Sequence, residues 1–283
     1  MSNLESRPFC FGRHTLDLNR IQVMGILNVT PDSFSDGGCH NELDAARYHA
    51  EAMIKAGASL IDVGGESTRP GAAIVSEQEE LDRVLPVVEV LVREFDALVS
   101  VDTSTAAVIR ESAIAGASLI NDVRALEKEG ALKAAADSGL PVCLMHMQGQ
   151  PQTMQDDPSY GNLLKEVTGY LRQRVDACLE AGIGKDQIIL DPGYGFGKSV
   201  EHNCSLIRHL SDISAMGYPL LTGTSRKSML GAITGKEIPA ERVIASVASA
   251  LICAQNGAWI LRVHDVEETI DALKVYLAVQ GAE

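Results

Sequence analysis

Eight short, nearly unbroken apolar runs alternate with eight amphipathic patterns over 283 residues. This predicts an α/β chain folded as a (β/α)8 barrel, a TIM barrel with a short N-terminal hairpin. Runs of that kind suit parallel strands buried on both faces. A second observation is an internal echo. Ala56-Gly57-Ala58-Ser59-Leu60-Ile61-Asp62-Val63 recurs as Ala115-Gly116-Ala117-Ser118-Leu119-Ile120-Asn121-Asp122, and more loosely as Asn256-Gly257-Ala258-Trp259-Ile260-Leu261-Arg262-Val263. Each copy closes a helix on glycine, which suits the left-handed terminal position, and starts a strand at once. Third, no linker-like stretch divides the chain, which gives one domain over 1–283. A doubly wound open sheet is the alternative architecture.

The elements follow in order. Phe9, Phe11, Leu16 and Leu18 alternate around Gly12-Arg13, so 9–19 is expected to form a hairpin plugging the bottom of the barrel. Strands are expected at 21–27, 59–63, 98–101, 118–120, 142–145, 187–190, 220–222 and 259–263. The first helix, 41–56, places Leu43, Ala46, Ala50, Met53 and Ile54 on one face, with Asn41 as its N-cap. Ser76-Glu77-Gln78-Glu79 is a capping box opening a helix through Phe95, with Pro86 placed to kink it. Further helices fit 104–115, 129–138, 161–181, 201–216, 239–256 and 266–279.

Composition narrows the partners. With 46% hydrophobic and 22% charged residues the chain reads as an ordinary globular protein. Its net charge of −14 argues against nucleic acid and anionic membranes, though a small cationic pocket can still hold an anionic substrate. No secretory signal and no membrane-length apolar run is visible. The six cysteines are scattered without a C-x-x-C. They read as reduced residues of a cytoplasmic protein.

Residues 24–38, MGILNVTPDSFSDGG, are the most informative stretch. A buried-strand pattern ends at Asn28 and runs into Thr30, Pro31, Asp32, Ser33, Ser35, Asp36 and two glycines. A plain βα turn also uses Pro, Asp, Ser and Gly, but fewer of them. So dense a polar loop on a rigid strand is the usual form of an active-site loop.

In such barrels the catalytic face is the carboxyl end of the strands. The first polar residues there are Asn28; Asp62 and Glu66; Asp102; Asn121 and Asp122; His146; Asp191; Thr224 to Ser228; and Arg262 and His264. Strand ends emerge into solvent, so any one of them has an ordinary explanation. As a set they sort chemically, with Asn and Asp in the middle strands and cations on strands seven and eight. That suits a ligand with a hydrogen-bond donor edge at one end and phosphate at the other, near a helix start that also favours anions.

Asp191-Pro192-Gly193-Tyr194-Gly195-Phe196-Gly197-Lys198-Ser199 superficially resembles a P-loop, but Pro192 occupies the position that needs glycine. It reads as a βα loop or as a lid beside Asp191. Gly64-Gly65-Glu66-Ser67-Thr68-Arg69-Pro70-Gly71 is a second polar loop, a partner for the first. There is no H-x-H or H-E-x-x-H, and His146 reads as a packed rim residue, which disfavours a zinc hydrolase. Mg²⁺ needs only one or two protein oxygens besides phosphate and water, and Asn28 and Asp36 could supply them.

With these motifs assembled, the chain resembles the dihydropteroate synthases of bacterial folate biosynthesis. The carriers are MGILNVTPDSFSDGG (24–38), DVGGESTRPGA (62–72), SVDT (100–103), IND (120–122), DPGYGFGK (191–198), SRKS (225–228) and RVHD (262–265). The resemblance implies a barrel that joins 6-hydroxymethyl-7,8-dihydropterin pyrophosphate to p-aminobenzoate and releases pyrophosphate. It implies that Asp102, Asn121, Asp191 and Lys227 bind the pterin. Asn28 and Asp36 would meet Mg²⁺. Arg262 and His264, with Asn28 and Thr68, would hold the pyrophosphate. Phe34, Thr68, Pro70, Phe196, Arg226 and Ser228 would line the p-aminobenzoate pocket. Thr30, Asp32, Ser33, Ser35 and Arg69 would belong to two mobile loops. Asn28, Asp36, Lys227, Arg262 and His264 would carry the chemistry. A homodimer and sensitivity to sulfonamide inhibitors are also implied. Tyr194 departs from the commoner phenylalanine of this motif.

A single carboxylate, best Asp191, can accept both donors of the pterin edge. Neutralising the pyrophosphate makes it a leaving group and favours a dissociative, SN1-like order. Two other readings compete: a methyltetrahydrofolate-binding methyltransferase domain and a non-catalytic pterin-binding module. The opening loop and Ser225-Arg226-Lys227-Ser228 argue against the first. The intact pyrophosphate set of Asn28, Lys227, Arg262 and His264 argues against the second.

Overall fold

The computed structural model describes residues 7–30, 39–67, 75–149, 153–154 and 158–282, and leaves the side chains of 39–41 undescribed. An antiparallel pair, β1 (Pro8–Phe11) and β2 (His14–Asp17), comes first. Eight parallel strands follow: β3 (Gln22–Asn28), β4 (Leu60–Gly64), β5 (Val99–Asp102), β6 (Leu119–Asp122), β7 (Val142–Met145), β8 (Ile188–Asp191), β9 (Leu221–Thr222) and β10 (Ile260–Val263). Their order is β8-β7-β6-β5-β4-β3-β10-β9. The two ends meet, since Leu190 bridges Leu220 and the Leu190 N–H donates to Pro219 O at 3.0 Å. A doubly wound sheet would keep two free edges, so the barrel is the architecture present.

The hairpin closes the end where the strands begin. Phe9 and Phe11 pack with Trp259 and with the first inward residues of the strands, among them Met24, Leu60, Leu98, Leu119 and Ile189. The Phe9 and Trp259 rings lie 5.2 Å apart, and Trp259 Nε1 donates to Asp17 O at 3.1 Å. Phe11 and Met24 are fully buried. Burial of each such side chain contributes about 1.5–3 kcal/mol. With the bottom filled by apolar groups, the polar strand ends are left to the opposite mouth.

The helices pack outside: α1 (Cys39–Ala56), α2 (Glu77–Phe95), α3 (Ala106–Ile114), α4 (Ala131–Ser138), α5 (Leu163–Glu180), α6 (Val200–Arg208), α7 (Leu210–Ser214), α8 (Ser228–Thr234), α9 (Val243–Gln255) and α10 (Val266–Gln280). The capping box forms at α2, where the Glu79 N–H donates to Ser76 Oγ and the Ser76 N–H to Glu79 Oε2. That helix continues through Pro86.

Several expected boundaries move. α1 begins at Cys39, so Asn41 lies inside its first turn and is not the cap. A first turn makes no internal bonds to its own N–H groups, and local signals do not pin its start. α5 begins at Leu163 because Asn162 caps it, accepting from the Lys165 N–H at 3.0 Å. The helix expected at 201–216 breaks at His209 into α6 and α7. The one expected at 239–256 opens as a 3₁₀ turn, Pro239–Arg242, before α9. Among the described residues no helix is long and apolar enough to cross a membrane.

Candidate functional site

Because all eight barrel strands run parallel, their carboxyl ends share one mouth. Four of them are tied by one network. Arg262, from β10, donates through Nε to Asp62 Oδ2 at 2.6 Å and through Nη2 to Asp102 Oδ2 at 2.9 Å. Asp62 is fully buried and also accepts from Ser100 Oγ at 2.5 Å and Asn121 Nδ2 at 3.3 Å. A buried carboxylate is tolerable only when its oxygens are satisfied this way. Burial pushes the Asp102 carboxyl up to about 7; Arg262 opposes this and the Asp62 charge adds to it. Burial alone would lower the Arg262 pKa, but the two carboxylates hold it above its ordinary value. Arg262 is therefore a fixed cation whose fork is oriented before any ligand arrives.

The second cluster is built on the loop after β8. Asp191 is buried, and its Oδ1 accepts the Gly193 N–H at 2.7 Å. Burial raises its pKa, and Lys227 is the strongest charge pulling it back down. Lys227 is the residue before α8. Its Nζ donates to Tyr194 O and stands 4.6 Å from the centre of the Phe196 ring. Burial lowers its pKa to about 8, with Asp191 opposing. A carboxylate and an ammonium held at one wall, beside an aromatic face, can bind a flat heterocycle with donors on one edge and acceptors on the other.

The loop can take this course only with glycine. Gly193 has φ +71°, and a Cβ there would lie 1.9 Å from His146 O. Gly139 has a similar φ of +68° but nothing within 4 Å. Gly193→Ala should therefore cost about 3–5 kcal/mol in chemical denaturation. Gly139→Ala should cost only about 1–2 kcal/mol, the backbone penalty without the clash. Equal costs would show that the contact with His146 O is unimportant.

A third group joins the second loop to the barrel. Arg124 donates to both oxygens of Glu66, at 3.1 and 3.0 Å, and to Ser104 Oγ at 2.9 Å. Asp122 accepts from Ser104 Oγ and from the N–H groups of Arg124 and Leu126. Asp122 is thus a loop organiser beneath the mouth.

The remaining expected residues are placed as follows. Asn28 ends β3. A Cβ on the neighbouring Gly64 would lie 3.9 Å from Asn28 Oδ1 and 3.8 Å from Asp102 Oδ2, so those two oxygens face one region. His264 Nδ1 meets Ser225 Oγ at 3.0 Å. Arg226, with a left-handed φ of 58°, pairs with Asp265 through Nε at 3.1 Å and through Nη2. Arg226 and Arg262 are thus already matched to acids, rather than forming an open positive patch. Ser228 is exposed at the start of α8, and Thr30 follows β3. Asp32, Ser33, Phe34, Ser35, Asp36, Thr68, Arg69 and Pro70 lie outside the described residues.

Asp62, Ser100 and Lys198 are absent from the expected binding set. The signal was a polar residue inside an apolar strand: Asp62 in Leu-Ile-Asp-Val and Ser100 in Val-Ser-Val. His146 is the packed residue expected, 5% exposed, with burial lowering its pKa to about 3. Among the described residues no group of three or more His, Cys, Asp or Glu is placed to hold a metal.

Comparison with known proteins agrees with this arrangement. Residues 24–264 match the family model described as pterin binding enzyme. The chain is 55% identical to the Escherichia coli K12 dihydropteroate synthase over 95% of each chain. A Yersinia pestis dihydropteroate synthase solved with a sulfonamide drug is 58% identical, with TM-score 0.93 over 98% of this chain and 100% of that one. The Xanthomonas albilineans dihydropteroate synthase solved with 4-aminobenzoic acid is 49% identical, with TM-score 0.92 over 98% and 100%. On sequence, topology and the polar mouth alike, this chain belongs to the pterin-binding enzymes, in the dihydropteroate synthase family.

Proposed function

We propose that the chain condenses 6-hydroxymethyl-7,8-dihydropterin pyrophosphate with p-aminobenzoate to form 7,8-dihydropteroate and pyrophosphate. The observation that carries this is the barrel mouth itself, where a buried carboxylate–ammonium wall stands with a doubly anchored arginine in a chain of this family. Asp191 accepts the pterin's ring N–H and amino donors, while Lys227 and Asn121 meet its acceptor edge. Asp102, Arg262 and His264 border the substrate's methylene and pyrophosphate.

Positive charge at Arg262 stabilises the oxygen that takes the electron pair as the methylene C–O bond breaks. The ring stabilises the resulting methylene cation. The amine nitrogen of p-aminobenzoate then bonds to that carbon and loses its proton to water. Phe196, Arg226 and Ser228 fit the amine's pocket, with Phe34, Thr68 and Pro70 from the loops.

Mg²⁺ suits the hard oxygen of Asn28, which faces the same region as Asp102, with Asp36 as the further ligand. When bound, it supplies charge neutralisation to the leaving pyrophosphate. Exposed Ile244 and Ile252 on α9, with Val275 and Val279 on α10, support a homodimer through that face. Unpaired cysteines, three of them buried, support a cytoplasmic location. Sulfonamides fit as competitors of p-aminobenzoate.

The test is product formation from the two substrates with Mg²⁺, with a sulfonamide as competitor. The dissociative order predicts positional isotope scrambling in the pyrophosphate without p-aminobenzoate. Strict dependence of C–O cleavage on the amine would overturn that order.

A further inference from the structure

Lys198 ends the glycine-rich loop whose likeness to a P-loop fails at Pro192. A P-loop lysine points outward to phosphate; this one points into its own loop. It is 3% exposed, and its Nζ donates to Gly193 O at 2.8 Å, Phe196 O at 3.0 Å and His146 O at 3.3 Å, with His146 Nδ1 at 2.9 Å. Burial and the lysine's charge keep His146 neutral, so its Nδ1 can act as an acceptor. Three carbonyls and an imidazole nitrogen converge on one buried Nζ. Burial lowers the Lys198 pKa to about 7, with Asp191 opposing, and the three donors of its protonated form are shared among these four acceptors. Without it, several buried acceptors would be orphaned at once.

The same loop sets the wall described above. The Gly193 N–H holds Asp191, Tyr194 O receives Lys227, and the Phe196 ring lies beside Lys227. We propose that Lys198 is a positioning residue for pterin recognition: its ammonium gathers the carbonyls of His146, Gly193 and Phe196, and the loop so shaped orients Asp191 and Lys227. The inference rests on the assignment of Asp191 and Lys227 to the pterin.

The experiment measures steady-state kinetics of Lys198→Met and His146→Phe beside wild type. Lys198→Met keeps the chain length and removes the donors. A purely structural role would lower the folded fraction, so apparent kcat would fall with KM unchanged. Positioning predicts instead that KM for the dihydropterin pyrophosphate rises about tenfold or more in Lys198→Met, with the folded fraction matched by circular dichroism. His146→Phe keeps an aromatic ring beside Tyr170 (ring centroids 5.1 Å apart) and removes the Nδ1 acceptor. Its KM should rise about threefold.

An unchanged pterin KM in folded Lys198→Met overturns the proposal. If that variant does not fold, His146→Phe decides, and an unchanged KM there counts against it. Wild type that forms no dihydropteroate would sink the functional assignment instead.

Discussion

Arg262→Met is expected to destabilise the fold by about 3–5 kcal/mol and to remove measurable turnover. The stability loss has a local cause. Arg262 is the cation shared by Asp62 and Asp102, and Asp62 is fully buried. Its removal leaves two carboxylates close together in a poorly hydrated site, where one must protonate or the site must open. Guanidinium unfolding reads this directly. The double variant Asp62→Asn with Arg262→Met removes one orphaned charge, and should recover a substantial part of the stability. It should not recover turnover, because the guanidinium that stabilises the leaving oxygen is still missing. Arg262→Lys should fall between, since one ammonium cannot reproduce a fork that reaches two carboxylates. A single variant as stable as wild type would refute the network; a double variant with restored activity would refute the role in chemistry.

The barrel was legible because its cause is repeated. Every strand is a short apolar run, and the Gly57, Gly116 and Gly257 turns mark where helices hand over to strands. The hairpin was legible from the alternation of Phe9 and Phe11, because a barrel bottom needs apolar filling. Boundaries were less so. Asn162 caps α5 through a bond to Lys165, and His209 divides a pattern that reads as continuous. Both depend on a few side-chain geometries, to which apolar periodicity is blind.

At the mouth, polar residues after strands are readable, but their partners are not. Asp62 and Arg262 stand 200 residues apart in the chain, so only closure of the barrel reveals that one neutralises the other. Arg226 looked like a free cation until Asp265 was placed against it. Lys198 sits beside Gly197 in sequence, yet its partners include His146, some fifty positions earlier. Sequence order exposes which groups reach the mouth; pairing between strands decides which of them remain available to a ligand.

The pterin affinity of this protein should fall on the alkaline side as Lys227 loses its proton. Burial lowers that pKa to about 8, while Asp191 and Asp102 hold the charge against it and Arg262 opposes them. The sign follows from the contacts. Below that pH the ammonium neutralises Asp191 and keeps its carboxylate ionised, ready to accept two donors. Above it the amine is neutral, and Asp191 loses its strongest opposing charge. Binding that requires the protonated lysine then weakens by about tenfold per pH unit. Calorimetric titration with a dihydropterin from about pH 7 to about pH 9.5 measures the slope. Lys227→Met should lose about 2–5 kcal/mol of pterin affinity near neutrality, largely because Asp191 is left buried without its partner. Its residual binding should also lack the alkaline limb. Lys227→Arg keeps a charge at every pH in this range, so it should flatten the limb even where it binds less well. Wild-type affinity that stays constant across the range would separate Lys227 from pterin recognition altogether, and would leave Asp191 to act with Arg262 alone.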